Sequence, residues 1–360
     1  MKHIFYGING EGLGHACRAM GVIEKLNDHT VDIFTYGKAY DFFIKNGYQH
    51  VHLINGINFA YDGNKIAPLK TIARTLNFLR NGLRPNIKLI CDLAAQHKPE
   101  YWVTDYEPST YWAARRTGNK ITSIDNQHRF LYGKFNDLPF RYRAYCYGIS
   151  WITRLLVPFA DKVIISFFGH RQIKFSNPKK VNVINPIVRT NITLTGPSDD
   201  GFVLVYLRPS ISDAVLEILS QSTQRFVIYG ALDSSRKHKM KSENNFLFKE
   251  LSPDFTDNLL RCNKVISTAG NQLISEALYL SKPILVIPEN GQYEQLINGY
   301  YVEMVQIGQS CKLENLSIEV INDFLTNFQV ENRDRVNGAD EAVAILLGNE
   351  NEDTDQSIHL

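Results

Sequence analysis

The β-rich run Lys2–Ile8 leads directly into Gly10-Glu11-Gly12-Leu13-Gly14-His15. Glycines at this spacing let a backbone turn tightly and bring a bulky or anionic ligand up to the helix that follows. His15 sharpens the motif, because an imidazole titrates near neutrality and can act as a base. The competing reading is a plain strand-to-helix turn in which Gly12 and Gly14 serve only the backbone. A dinucleotide fingerprint needs Gly-x-Gly-x-x-Gly and an acid at the end of the second strand. Here His15 follows Gly14 and the second strand ends in Thr35-Tyr36-Gly37, so a nicotinamide cofactor is disfavoured.

Two more clusters stand at predicted strand ends: Asp105-Tyr106-Glu107 after Tyr101–Thr104, and Asp125-Asn126-Gln127-His128 after Ile121–Ile124. In an open sheet such side chains point into the ligand cleft, or else they cap the next helix. Both readings stand for Glu107, Asn126 and His128, and Asp105 either orients His15 or is itself the base. The densest set lies in the second half. It runs Ser267-Thr268-Ala269-Gly270-Asn271-Gln272-Leu273-Ile274-Ser275-Glu276-Ala277, then the strand Pro283–Ile287, then Glu294, Gln295 and Asn298. Strand, glycine turn and helix start leave backbone N–H groups at Gly270 and Asn271 free to hold a diphosphate without a metal. Glu276, within the next two turns, offers a carboxylate to ribose hydroxyls. Glu294, Gln295 and Asn298 suit a sugar rich in hydroxyls and amides.

These groups need a scaffold to hold them, and the chain's pattern supplies one. At about 150 residues per domain, 360 residues favour two domains. Lys plus Arg (39) nearly balances Asp plus Glu (37), so there is no global reason to expect nucleic acid. Five scattered cysteines without a Cys-x-x-Cys pair fit a reducing compartment and exclude a disulfide framework. The histidines read as mostly isolated, none with zinc spacing, so no metal site is expected. The apolar stretch Ile149–Ala160 is broken by Arg154 and falls short of the roughly 20 residues of a spanning helix. Met1–Gly7 is too short for a signal peptide, and a cytoplasmic protein is expected.

Strands alternate with helices through the first half, and the rhythm restarts after residue 200 with Phe202–Tyr206, Phe226–Tyr229, Phe246–Phe248, Lys264–Ser267 and Pro283–Ile287. That is an α/β pattern of parallel βαβ units. Pro, Gly, Ser and Asp cluster between the halves and mark a linker. The reading is two Rossmann-like domains facing across a cleft, 1–187 for the acceptor and 188–335 for the donor. A helix at 336–348 packs back on the first, and 349–360 is an acidic tail. The alternative is one large mixed domain.

The segment 267–298 resembles the donor-nucleotide site of GT-B glycosyltransferases, above all the MurG-type N-acetylglucosaminyltransferases of peptidoglycan synthesis and their uncharacterised bacterial and archaeal relatives. Gly10–His15 is similar to that family's N-terminal glycine loop, and Asn185-Pro186-Ile187-Val188-Arg189 to the segment entering its hinge. Two departures stand out: Glu294-Gln295 where the family has paired glutamines, and Arg208-Pro209-Ser210 where it has a glycine-rich loop. The resemblance implies an inverting, metal-independent transfer of an N-acetylhexosamine or hexose from a nucleotide-diphosphate donor, UDP-linked. The acceptor would be a cell-envelope, glycolipid or polysaccharide acceptor. It places Gly270 and Asn271 at the diphosphate, Glu276 at the ribose, and Glu294, Gln295 and Asn298 near the sugar. No cofactor is implied, since the nucleotide sugar is a substrate. The rivals are a UDP-sugar 2-epimerase on the same fold, using Glu11, Asp105 and Glu107, and a non-catalytic sugar-nucleotide-binding protein.

Residues 129–159 interleave aromatics with Arg129, Lys134, Arg141, Arg143 and Arg154. This is either a peripheral contact with the inner face of the membrane or an ordinary helical segment. Asp353-Thr354-Asp355 has the form of a metal-binding Asp-x-Asp, but a metal site needs a rigid strand end to place its ligands.

Overall fold

Strand β1 (His3–Ile8) buries every residue after His3, as a strand covered on both faces must. In the computed structural model, which describes residues 1–57, 61–62, 65–169, 172–173, 180–230, 245–250 and 254–348, it lies at the centre of a seven-stranded parallel sheet. Its companions are β2 (Thr30–Thr35), β3 (Val51–Leu53), β6 (Tyr101–Asp105), β7 (Thr122–Asp125), β8 (Lys162–Ser166) and β9 (Val181–Ile184), in the order β3-β2-β1-β6-β7-β8-β9. A short hairpin, β4 (Tyr61–Asp62) and β5 (Lys65–Ile66), stands apart. The second sheet has β10 (Phe202–Tyr206), β11 (Arg225–Tyr229), β12 (Phe246–Lys249), β13 (Lys264–Ser267), β14 (Ile284–Val286) and β15 (Gly308–Ser310). Their order is β12-β11-β10-β13-β14-β15, again parallel throughout. Strand order reverses at β1/β6 in one sheet and at β10/β13 in the other. Open α/β sheets form their ligand crevices at such points.

Alternation along the strands sorts the packing. Ile4, Tyr6 and Ile8 face the helix Leu13–Ile23, while Phe5 turns the other way to Phe34 and Trp102. This second cluster continues through Phe167 to Tyr301 and Ile307, so one apolar core joins the two sheets. The helix Ala339–Leu347 returns to the first sheet and buries Ala339, Ala342, Ile345 and Leu346 among Ile4, Ile164 and Ile184. Lys162 Nζ donates to the Ile345 carbonyl at 2.6 Å.

Besides the short hairpin β4–β5, three strands of the two sheets were not anticipated from the sequence. Val181–Ile184 and Gly308–Ser310 are edge strands whose short, partly polar sequences carry little local signal. Lys162–Ser166 is a brief apolar run that periodicity cannot distinguish from buried helix. The expected acidic tail and Asp353-Thr354-Asp355 lie outside the described residues.

Candidate active site

The glycine loop after β1 is shaped by its neighbours. A Cβ on Gly10 would sit 1.8 Å from the Tyr36 carbonyl oxygen, so only glycine fits there. Over Gly12 the space is open, and a Cβ on Gly14 would meet Gln272 Cβ at 3.6 Å. The helix Leu13–Ile23 then sets His15 over the end of β6. Asp105, wholly buried, accepts from Arg18 Nε at 2.9 Å, Arg18 Nη2 at 2.6 Å and His15 Nδ1 at 2.7 Å. Arg18 Nη2 also lies 3.1 Å from His15 Nδ1. Since an ionised carboxylate can only accept, the 2.7 Å contact assigns the Nδ1 proton to the His15–Asp105 bond. His15 Nε2 is left as the basic nitrogen, with no protein partner among the described residues. Burial depresses the Arg18 guanidinium, but Asp105 overrides it and holds the group above its usual range. Sequence reasoning missed Arg18. Its signal was a lone Arg, three residues after His15, in an otherwise apolar helix.

Two expected cleft residues are internal, which corrects their assignment to the acceptor. Glu107 caps the helix Pro108–Arg116, accepting from the Ser109 and Thr110 N–H groups at 2.7 and 2.6 Å, and is wholly buried. Burial raises its carboxyl pKa. Tyr106 takes a left-handed φ of 55° to make the turn, which costs about 1–3 kcal/mol. His128 is also wholly buried. Its Nδ1 meets Asp125 Oδ2 at 2.6 Å and its Nε2 meets the Val157 carbonyl at 3.2 Å, so both nitrogens donate and the ring is an imidazolium. Burial alone would neutralise it, but Asp125 overrides burial and raises its pKa. Asp125 in turn would be raised by burial, yet the His128 charge pulls it down to about 2.

Across the cleft, the helix Asn271–Tyr279 starts at Gly270 with no side-chain cap. Gly270 is exposed with open space over its Cα, so the first-turn N–H groups face outward. Asn271 Oδ1 is buried without a hydrogen-bond partner among the described residues. This helix packs against Leu13–Ile23 with the two N-termini adjacent, an arrangement that favours an anion. Glu276 is buried and engaged: Arg189 Nε and Nη2 donate to its two oxygens at 2.9 and 2.8 Å, and Gln272 adds a bond at 3.0 Å. Gln272 also donates to the Ile187 carbonyl at 3.1 Å.

The helix Tyr293–Met304 reaches the first sheet. Asn126 donates to Glu294 at 3.3 Å, and Arg129 Nη2 donates to Asn298 Oδ1 at 2.8 Å while Asn298 donates to the Ala269 carbonyl. Arg129 is therefore a buried bridge rather than a surface cation, stacked on Phe130 and Phe167, with Nε and Nη1 unpartnered among the described residues. Gln295 turns inward, its amide clamping the Glu289 N–H and carboxylate at 2.8 Å each. Ser210 and Arg208 contact the same Glu289.

The helix Phe140–Leu156 buries Tyr142, Cys146 and Ser150 and exposes Phe140, Tyr147, Trp151 and Leu155 on its other face. Among the described residues no helix is long and apolar enough to cross a membrane. The histidines are less isolated than expected, because His3, His52 and His97 converge on Asp32.

Residues 2–329 match the family described as Glycosyl transferase family 1. The chain is 28% identical over 201 residues to a Bacillus cereus UDP-N-acetylglucosamine–N-acetylmuramyl-(pentapeptide) pyrophosphoryl-undecaprenol N-acetylglucosamine transferase, covering 49% of this chain and 55% of that protein. The Rickettsia canadensis protein of the same description is 23% identical over 208 residues, 50% of this chain and 58% of its own length. The chain thus spans little more than half the length of the curated relatives it matches. In structure it is similar to Phytolacca americana UGT2 complexed with UDP-2-fluoroglucose and pterostilbene. The TM-score is 0.62 at 13% identity, covering 97% of this chain and 94% of that one.

Proposed function

The chain belongs to glycosyl transferase family 1 and has the GT-B fold, and from that premise we propose that it moves a hexose or N-acetylhexosamine from a UDP-linked donor to a glycan or lipid-linked acceptor of the cell envelope. The observation that carries this reading is the packing of the helix that carries His15, whose Nε2 has no protein partner among the described residues, against the helix that starts uncapped at Gly270. In the proposed inverting step, His15 Nε2 takes the proton of the acceptor hydroxyl as its oxygen attacks the anomeric carbon. The bond from that carbon to the diphosphate oxygen breaks, and the leaving diphosphate is stabilised by the first-turn N–H groups from Asn271 onward, the Gly270 N–H being engaged by the Thr268 carbonyl at 2.7 Å, with no metal ion required. Asp105 stabilises the imidazolium that forms. Both its oxygens already accept from Arg18 or His15, which supports His15 rather than Asp105 as the base.

Glu276 accepts from the ribose through lone pairs that Arg189 and Gln272 leave available, and Glu294 is the group left for the sugar, since the amides of Asn298 and Gln295 are engaged within the protein. The relatives' printed descriptions, which name UDP-N-acetylglucosamine and a pyrophosphoryl-undecaprenol acceptor, support a UDP donor and a lipid-linked acceptor. The exposed Phe140, Tyr147, Trp151 and Leu155, flanked by Arg141, Arg143 and Arg154, support a peripheral contact at the inner face of the membrane. Because Glu107 serves as a helix cap, the 2-epimerase reading loses one of its three carboxylates. A thermal-shift screen of UDP-, dTDP- and GDP-linked sugars, followed by turnover with a polyprenyl-diphosphate acceptor, tests the proposal. Stabilisation by a UDP-sugar and acceptor-dependent release of UDP are expected. Conversion of the UDP-sugar with no acceptor present would replace transfer by epimerisation.

A further inference from the structure

Asp32 on β2 is wholly buried, and three imidazoles converge on it from three other elements. His3 Nε2 on β1 and His97 Nδ1, at the end of the helix Leu83–His97, lie 2.5 and 2.8 Å from Oδ2. His52 Nε2 on β3 lies 2.6 Å from Oδ1. His50 Nδ1 stands further off, at 4.0 Å. This cluster is remote from His15. Asp32 pairs in register with Phe5, whereas Asp105 pairs with Ile8. Three register steps are about 10 Å along the strands, and Phe5 and Ile8 point to opposite faces of the sheet.

We propose that His3 Nε2, Asp32 and His97 Nδ1 bind a divalent transition-metal ion of the zinc type, with His52 as the positioning residue that holds the second carboxylate oxygen. One donor atom from each of these three ligands lies within 4.8 Å of the other two. A set of two imidazoles and one carboxylate suits zinc and its neighbours rather than magnesium or calcium, which take oxygen. His52 on the far oxygen supplies the outer hydrogen bond that ligating carboxylates use to fix their orientation. Burial alone would raise the Asp32 pKa, but hydrogen bonds from the three rings hold it low, so the anion is in place before an ion arrives. The rings are also braced. His3 stacks on His97 at 4.8 Å, Phe34 stacks on His52 at 4.9 Å, and Phe5 meets His3 and His97 edge-on. Side-chain exposures of 22, 26 and 32% at His3, His52 and His97 leave an entry path and room for water to complete the coordination. The ion would tie β1 and β2 to the end of a helix that covers them.

The test uses the untagged full chain, dialysed against chelator and titrated with zinc by calorimetry and with cobalt by visible absorption. One equivalent of zinc, d–d bands from cobalt in a nitrogen–oxygen site, and a rise in melting temperature with zinc are expected. His3→Gln and His97→Gln should abolish saturable binding, and His52→Gln should weaken it by about 10- to 100-fold. Should a variant fail to fold, the wild-type chain still decides. Its zinc affinity should fall in acid, because ligating imidazoles must give up their protons to the ion, and zinc should perturb the NMR signals of the His3 and His97 rings. Absence of one-equivalent binding in the wild type, or binding undiminished by both ligand substitutions, overturns the proposal.

Discussion

On the wall of the cleft built by the first sheet, His15 is held by Asp105 and Asp105 by Arg18, a chain of buried ionic hydrogen bonds. On the opposite wall, Gly270 presents a helix N-terminus that no side chain caps. Under the proposed transfer, the contrast follows from what each wall would hold. Directing one lone pair at a substrate requires a fixed ring and tautomer, and in a protein interior that means a saturated network of partners. Holding an anion with backbone N–H groups requires only that side chains stay out of the way. Substitutions on the first wall should therefore act on the chemical step and those on the second on binding.

The largest expected effect breaks the first wall. His15→Ala should lower turnover by about 100- to 10,000-fold while calorimetry finds donor affinity and melting temperature unchanged. Asp105→Asn should cost turnover and also stability, because it strands the buried Arg18. An equal loss of donor affinity in His15→Ala would erase the division between the walls.

Glu276 sharpens the comparison, because on the binding wall it is the side chain with a buried ionic partner. Glu276→Ala should destabilise the fold by about 3–5 kcal/mol, the cost of leaving Arg189 buried and unpaired. Adding Arg189→Met should recover much of that in a denaturant titration. Any nucleotide affinity still missing in the double variant measures the ribose contact, and affinity fully restored there would remove that contact.

Smaller effects come from pH. The Asp125–His128 pair sits at the end of β7, beside the end of β6 that carries Asp105. The raised His128 pKa makes its stabilisation complete below about pH 6.5 and lost as pH climbs through the folded value, with a slope of at most about 1.4 kcal/mol per pH unit. Asp125, depressed to about 2, loses its own contribution as pH falls from about 3.9 toward that value. The alkaline slope should disappear in His128→Gln, and unfolding curves that superimpose with those of the parent would show that His128 is not an imidazolium in the folded protein. The smallest effect is expected from EDTA, which should leave the transfer rate unchanged even while it lowers the melting temperature through Asp32. Loss of the rate with rescue by magnesium or manganese would mean that the donor wall needs more than N–H groups.

His15, Asp105 and Gly270 were legible in the sequence because each directly follows a strand or its glycine turn. In a parallel sheet those positions face the crevice. Glu107 and Asp105 stand at the same kind of position, two residues apart, and only the turn at Tyr106 decides that one caps a helix while the other meets His15. Gln295 shows the same limit. It shares a helix turn with Glu294, yet it faces Glu289 rather than the first sheet.

Strand alternation and glycine positions, local properties of the chain, were enough to determine two parallel α/β sheets and the strand ends at which His15, Asp105 and Gly270 stand. Only the tertiary structure decided the partners: Arg18 with Asp105, Arg189 with Glu276, Arg129 with Asn298, and three histidines with Asp32. The physical reason is that most of these pairs join residues far apart in the chain. Each depends on register between strands or on how one sheet meets the other, and no periodicity within a single segment encodes either.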